Sequence, residues 1–279
     1  MKKCVLCLFG VIPRSIKYTI QSITENIINP LKKDFEVSIY VFNLNVGDVP
    51  VDGVLLDRTD ISNIDYNFYE EYSQIELDSE IEKIKSTYDI KFRHDYSPQS
   101  IQNSLRQMYS ESRIGKFLES TKDLYDIAIV CGPDYYIANP INLEHINDSI
   151  ISKCLYLSLV NMGNGFTNGF YFGNPSVLIP ILNRYNHLHQ YFPTNKDYEF
   201  LVMKSVLINQ IPYKFTDITF FKIRANKLVH WQGFFRMDYI HPLNRKYIMN
   251  QFLSLKNKGF HLHFYGRMTE DIMRSLISS

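Results

Sequence analysis

The first forty-odd residues alternate in a way that few folds accommodate. Cys4–Gly10 (CVLCLFG) is an unbroken apolar run ending in glycine, the pattern of a strand buried on both faces. A helix is predicted at about 15–32. Ile16, Ile20, Ile23, Ile27 and Leu31 recur at three- and four-residue steps, Ser15 stands where an N-cap belongs, and Pro30 falls near the end. VSIYVF (37–42) is a second strand, rich in β-branched and aromatic residues, and GVLLD (53–57) reads as a further short one. A strand, a helix and a strand joined so tightly predict a parallel βαβ unit. The expected class is therefore α/β, with a central mixed, mostly parallel sheet flanked by helices.

The rest of the chain extends that pattern. Residues 58–97 interrupt it with ten acidic and four basic residues from 60 onward, several tyrosines and an amphipathic helix at 75–86. They read as an insertion, either a plain surface excursion or a lid over a site. A helix at 98–121, opened by Ser97-Pro98, runs into the buried strand DIAIVCG and the turn Gly132-Pro133-Asp134. LYLSLV (155–160) is another strand, followed by a Gly/Asn-rich loop at 161–175 and helices at 176–189 and 196–209. Short strands are expected near 214–223 and 259–265, with a closing helix at 268–278.

Charge and cysteine usage exclude several classes. Lys and Arg number 30 against 29 Asp and Glu, which argues against a polybasic nucleic-acid binder. The balance hides a polarity, since residues 214–279 carry eleven basic and four acidic side chains. Such a basic segment suits an anionic ligand or merely a solvated face. Cys4 and Cys7 form a C-x-x-C, but on a strand positions three apart face opposite ways, so buried free thiols are expected in place of a metal or redox pair. No apolar run is long enough to span a bilayer, no signal peptide is recognisable, and a cytoplasmic setting is expected. The 20 Tyr and 19 Phe suit either an aromatic core or sugar stacking.

In an open parallel sheet, ligands bind beyond the carboxyl ends of the strands. That rule selects Phe9, Gly10 and Arg14 after the first strand, Phe42 and Asn43 after the second, Asp57 after GVLLD, and Gly132–Tyr136 after the strand at 126–132. Gly10 permits close backbone approach, Arg14 and the following helix start offer donors to an anion, and Asn43 offers an amide to a base or ribose. Asp134 is placed to bind a divalent metal through oxygen, or is a simple turn aspartate. Asn164 and Asn168 offer amides from the Gly/Asn loop. His261 and His263 alternate on a strand, and His230-Trp231-Gln232-Gly233 also stands out. There is no G-x-G-x-x-G after the first strand, no P-loop lysine motif and no G-x-S-x-G, which disfavours dehydrogenases, NTPases and α/β-hydrolases.

Three blocks in this order resemble the nucleotide-sugar glycosyltransferases of GT-A fold found in bacterial capsule loci and large DNA viruses. They are the opening LFGVIPRSIKYTIQSITENIINPLKKDFEVSIYVF, then SLRQMYSESRIGKFLESTKDLYDIAIVCGPDYYIANPINL, then FTNGFYFGNPSVL. The resemblance implies a single GT-A-like domain over 1–279. Its nucleotide-binding half would be 1–140, carrying the 58–97 insertion, and its acceptor half 141–279. It implies that Gly10 and Arg14 lie near a nucleotide diphosphate and that Arg106, Gln107 and Tyr109 face the donor. Asp134 would hold Mn²⁺ or Mg²⁺ where relatives carry Asp-x-Asp, and Asn168 stands at the aspartate position of the third block. His263-Phe264-Tyr265-Gly266 is similar to a His-Phe-x-Gly metal-ligand segment, making His263 a second metal ligand. Asp197 and Glu199 are candidate bases for an acceptor hydroxyl. The implied partners are a nucleotide sugar, of UDP type by the resemblance, and an oligosaccharide or glycoprotein acceptor. Two alternatives stay open: a sugar-phosphate nucleotidyltransferase and a non-catalytic glycan-binding protein.

Overall fold

The computed structural model of the chain describes residues 1–88, 90–91, 97–160, 162, 165–192, 194, 197–230, 242–263, 270–271 and 273–274. A seven-stranded sheet forms its centre, in the order β3-β2-β1-β4-β7-β6-β8. β1 (Lys2–Gly10) lies between β2 (Phe35–Asn45) and β4 (Ile127–Cys131), parallel to both. β3 (Phe68–Ser73) extends the parallel side beyond β2. On the other side, β7 (Phe170–Gly173) runs antiparallel to β4 and β6 (Leu155–Ser158), and β8 (Tyr213–Thr216) closes the edge parallel to β6. The expected α/β class with a mixed, mostly parallel sheet is what the chain forms.

Each residue of β1 from Cys4 to Leu8 is fully buried, because helices cover both sheet faces. Cys4, Leu6 and Leu8 join one apolar cluster with α1 (Ile16–Ile23) and α2 (Asn29–Leu31). Val5, Cys7 and Phe9 join a second with α4 (Pro98–Thr121), α6 (Pro175–Leu182) and α7 (Tyr198–Ile208). The two thiols thus face opposite ways, as strand geometry requires, and burial pushes both up from their ordinary pKa. Truncating a side chain such as Leu6 to alanine here would cost about 2–5 kcal/mol.

A smaller sheet leans on this frame, in the order β11-β10-β9-β5. β5 (Tyr135–Ile137) follows β4 directly and pairs antiparallel with β9 (Phe220–Ile223). β10 (Leu228–His230) pairs antiparallel with β9, and β11 (His261–His263) parallel with β10. α8 (Pro242–Asn257) precedes β11, and α5 (Leu143–Ser152) links β5 to β6.

Several elements differ from the sequence expectations. α1 and α2 are joined by a π-helical turn (Thr24–Ile28), and Ser15 does not cap α1, because its hydroxyl donates instead to the Ile223 carbonyl at 2.5 Å. GVLLD is not a strand: Val51 and Val54 bridge across a tight turn, and Leu55 is exposed. The segment 58–97 is not a mere insertion. It supplies β3 and α3 (Gln74–Thr87), and β3 pairs with β2 along six residues. The Gly/Asn stretch contains β7, and α8 and β10 had no sequence signal strong enough to place them. The expected closing helix at 268–278 falls mostly outside the described residues.

Candidate functional site

The chain leaves β1 through α1 toward β2 and β3, yet β4 returns on the opposite side of β1. The order therefore reverses between β1 and β4, and a crevice opens beyond their carboxyl ends. A cleft of about 530 Å³ lies there. Gly10 makes the turn out of β1 at φ 108°, a conformation that glycine adopts without strain. Phe9, Gly10 and Arg14 form one wall, Gly132–Tyr135 the next, and Val46 with Val49–Asp52 beyond β2 another.

α4 supplies the remaining wall. Gln99, Asn103, Arg106, Gln107 and Ser110 all face the cleft. Their spacing of i, i+4, i+7, i+8 and i+11 is one polar stripe on an otherwise packed helix. Arg106 is held in place by a bidentate contact to Asp78 at 2.7 and 2.6 Å, and Gln107 Nε2 donates to Glu111 Oε1 at 2.9 Å.

Positive charge gathers around Asp134. Its Oδ2 accepts from Arg224 Nη1 at 3.1 Å, and its side chain is 13% exposed. Lys222 lines the cleft with its ammonium over the Tyr135 ring. Burial pushes Lys222 down to about 8, with Arg224 and Arg14 adding to the shift and Asp134 and Glu199 opposing it. Arg14 meets Asp52 through Nε at 2.9 Å and Nη2 at 3.2 Å. Asp52 sits at φ 52° beside Gly53 at φ 76°, the backbone of a type I′ turn, and its Oδ2 also accepts from the Ala225 N–H at 3.3 Å. Burial opposes its ionisation, but Arg14 and the Ala225 N–H outweigh that and hold the carboxyl below the usual range.

The small sheet adds a row that crosses its strands. Tyr135 opposes Lys222, Lys222 opposes His230, and His230 opposes His263. The two imidazole Nδ1 atoms lie 3.0 Å apart, so one donates and the other accepts. Burial, then the charges of Arg224, His263 and Lys222, push His230 down to about 4.

The structure thus brings together Phe9, Gly10, Arg14, Arg106, Gln107 and Asp134 from the sequence-based candidates. It places others elsewhere. Asn43 is 2% exposed and spends its amide inside the frame, accepting from the Ile12 N–H at 3.1 Å and donating to Glu71 at 2.7 Å. Tyr109 packs among Phe42, Tyr72 and Tyr185 behind the cleft wall. Asn168 donates to Glu199 Oε1 at 2.9 Å, while its carbonyl accepts from the Tyr135 hydroxyl at 2.7 Å. Asp197 caps α7, accepting from the Phe200 N–H at 3.1 Å, so Glu199 is the carboxylate of the pair whose charge reaches Lys222. His263 meets His230, and Asn164, Trp231–Gly233 and Phe264–Gly266 lie outside the described residues.

Asp134 accepts from a guanidinium, and among the described residues no three His, Cys, Asp or Glu side chains converge. Lys222, Arg224 and Asp52 were the principal omissions of sequence reasoning. Two signals pointed to them: cations two apart on the aromatic strand FFKIR share a face, and Asp-Gly between valines is a type I′ turn signature.

No family model matches the chain, and no curated protein matches it in sequence. Among solved structures, mouse xyloside xylosyltransferase 1 in its apo form aligns with a TM-score of 0.42 and 8% identity, over 78% of this chain and 86% of that one. The 1–349 segment of S. aureus TarS aligns with a TM-score of 0.35 and 12% identity, over 99% of this chain and 69% of that one.

Proposed function

We propose that the chain is a glycosyltransferase that moves a sugar from a nucleotide sugar, of UDP type, to a glycan or glycoprotein acceptor. The observation that carries this reading is the composition of the cleft at the strand-order reversal. Arg14 and Lys222 line it, Arg224 reaches Asp134 in its wall, and the amides of α4 line it as well. A diphosphate needs the cations and a polyhydroxylated sugar the amides.

The chemistry follows from where charge develops. The acceptor oxygen bonds to the anomeric carbon as the bond from that carbon to the diphosphate oxygen breaks. The electron pair leaves on the diphosphate, where Arg14, Lys222 and Arg224 meet the growing charge. Asp134 holds Arg224 in place for this task and keeps Lys222 cationic against the pull of burial. In an inverting reaction Glu199 takes the acceptor proton, oriented through Asn168. The expected Mn²⁺ or Mg²⁺ is given no step, because Asp134 accepts from Arg224.

The test is a thermal-shift screen against UDP, GDP and CMP, each with and without Mn²⁺, followed by donor hydrolysis with individual nucleotide sugars. UDP is expected to stabilise the protein without added metal, and one UDP-sugar to be cleaved. Asp134→Ala is expected to abolish cleavage. Stabilisation by no nucleotide would sink the reading and leave a glycan-binding protein. Pyrophosphate release from UTP plus a sugar phosphate would convert it to a nucleotidyltransferase.

A further inference from the structure

Behind the α4 wall lies a charged pair with no route to solvent. Glu111 and Arg184 both have side chains with no exposed surface. Arg184 Nη2 donates to Glu111 Oε2 and reaches the Tyr198 hydroxyl at 3.1 Å, while Nη1 donates to the Ile181 carbonyl at 2.6 Å. The other carboxylate oxygen, Oε1, accepts from Gln107 Nε2 at 2.9 Å. A sealed ion pair gains little stability over well-packed apolar residues of the same volume, since desolvating both charges offsets their attraction. What it does supply is orientation.

The orientation has a definite sign. An ionised carboxylate only accepts hydrogen bonds, so Gln107 must turn its NH₂ toward Glu111. Gln107 also lines the cleft, and the contact with Glu111 leaves its carbonyl oxygen, an acceptor, and one amide N–H uncommitted. Beside the amide stands Gly169 at φ 78°, where an added Cβ would come within 2.6 Å of the Tyr135 hydroxyl and 3.4 Å of Gln107 Nε2. The backbone at Gly169 therefore packs directly against the Gln107 NH₂ and the Tyr135 hydroxyl, which helps to hold the amide in place. A fixed carbonyl acceptor repels phosphate oxygens and welcomes an O–H or N–H donor.

We infer that Gln107 accepts a hydrogen bond from a hydroxyl of the transferred sugar, and that the buried Glu111–Arg184 pair is the positioning unit that fixes its amide for that contact. The inference rests on the glycosyl-transfer reading and names the part of the donor that α4 reads. The sugar is favoured over the nucleobase because Gln99, Asn103 and Ser110 continue the same polar wall, as a ring bearing several hydroxyls requires. Glu111 and Arg184 touch no ligand themselves and act through Gln107.

The experiment uses the full chain, as wild type, Gln107→Leu and Glu111→Gln. Each is titrated with UDP, with UDP-glucose, UDP-galactose, UDP-N-acetylglucosamine and UDP-xylose, and with the single-deoxy analogues of whichever donor binds best. The wild type should prefer that donor over one of its deoxy analogues by about tenfold. Gln107→Leu should erase this preference while leaving UDP affinity within about twofold, since UDP lacks the sugar. Glu111→Gln should weaken the preference by releasing the amide. That variant also strands Arg184. If it fails to fold, Gln107→Leu, which keeps the pair intact, is the deciding variant. A general structural role would lower affinity for donor and deoxy analogue equally. Retained discrimination in Gln107→Leu overturns the inference, and so does an equal loss of UDP affinity, which would assign the contact to the nucleoside. If the wild type binds no UDP or UDP-sugar at all, the glycosyl-transfer reading fails and this inference with it.

Discussion

Arg184 and Arg14 each meet a carboxylate beside the same cleft, Glu111 in the first case and Asp52 in the second. The first pair is sealed, with both side chains wholly buried, and the second is 24% exposed on each side. Identical chemistry has different uses in the two settings. A sealed pair cannot trade its partner for a ligand, because unpairing a buried charge is too costly. It can only hold its neighbours in register. An open pair keeps its guanidinium exchangeable, and the carboxylate of Asp52 stands on Arg14 where an anionic ligand would bind.

The largest expected effect tests the sealed member. Arg184→Met leaves Glu111 buried and without its guanidinium, and should cost about 3–5 kcal/mol of folding stability. Arg14→Met should cost no more than about 1 kcal/mol, as open pairs generally do. Urea denaturation of both variants measures the difference. Similar losses would erase the distinction between the two pairs.

The open member should show its effect in binding. Arg14→Met is expected to weaken UDP by about tenfold or more, the loss of a charge-assisted contact. Asp52→Asn should act in the opposite direction, strengthening UDP a few-fold because Arg14 no longer has a competing anion. Calorimetric titration of the two variants reads both signs. A loss of affinity in Asp52→Asn would mean that Asp52 shapes the site and does not compete for it.

How far the sequence reached follows the same line between local and distant causes. β1, α1, β2, α4 and β4 were legible because each carries its own periodicity within one stretch of chain. Cys4 and Cys7 could be assigned to opposite faces by strand geometry alone. β3 was not legible, since FYEEYS is an exposed edge strand whose only apolar logic is its pairing with β2. β7 was hidden by the glycines around it, and GVLLD, apolar enough for a strand, became a turn because Asp52-Gly53 reverses the backbone first. At the site, Gly10, Arg14 and Asp134 could be named from strand ends. Lys222 and Arg224 could not, because they reach Asp134 only through the pairing of β9 with β5 across more than eighty residues. The basic balance of 214–279 was the trace they left in composition.

Lys222 offers the smallest effect and the most specific one, because its two consequences have opposite signs. Its folded pKa of about 8 lies below the ordinary lysine value of 10.5. Between those values the unfolded chain holds a proton that the folded chain has released, so this residue makes the free protein more stable as pH rises from about 8 to about 10.5. A diphosphate prefers the protonated form, so its binding should draw in a proton just above pH 8 and weaken as pH climbs further. Calorimetry in buffers of different ionisation enthalpy detects that proton directly, and denaturation across the same range follows the stability. Lys222→Met should remove its share of both trends together. Proton uptake that persists in this variant would assign the titration to another group and leave Lys222 outside the diphosphate site.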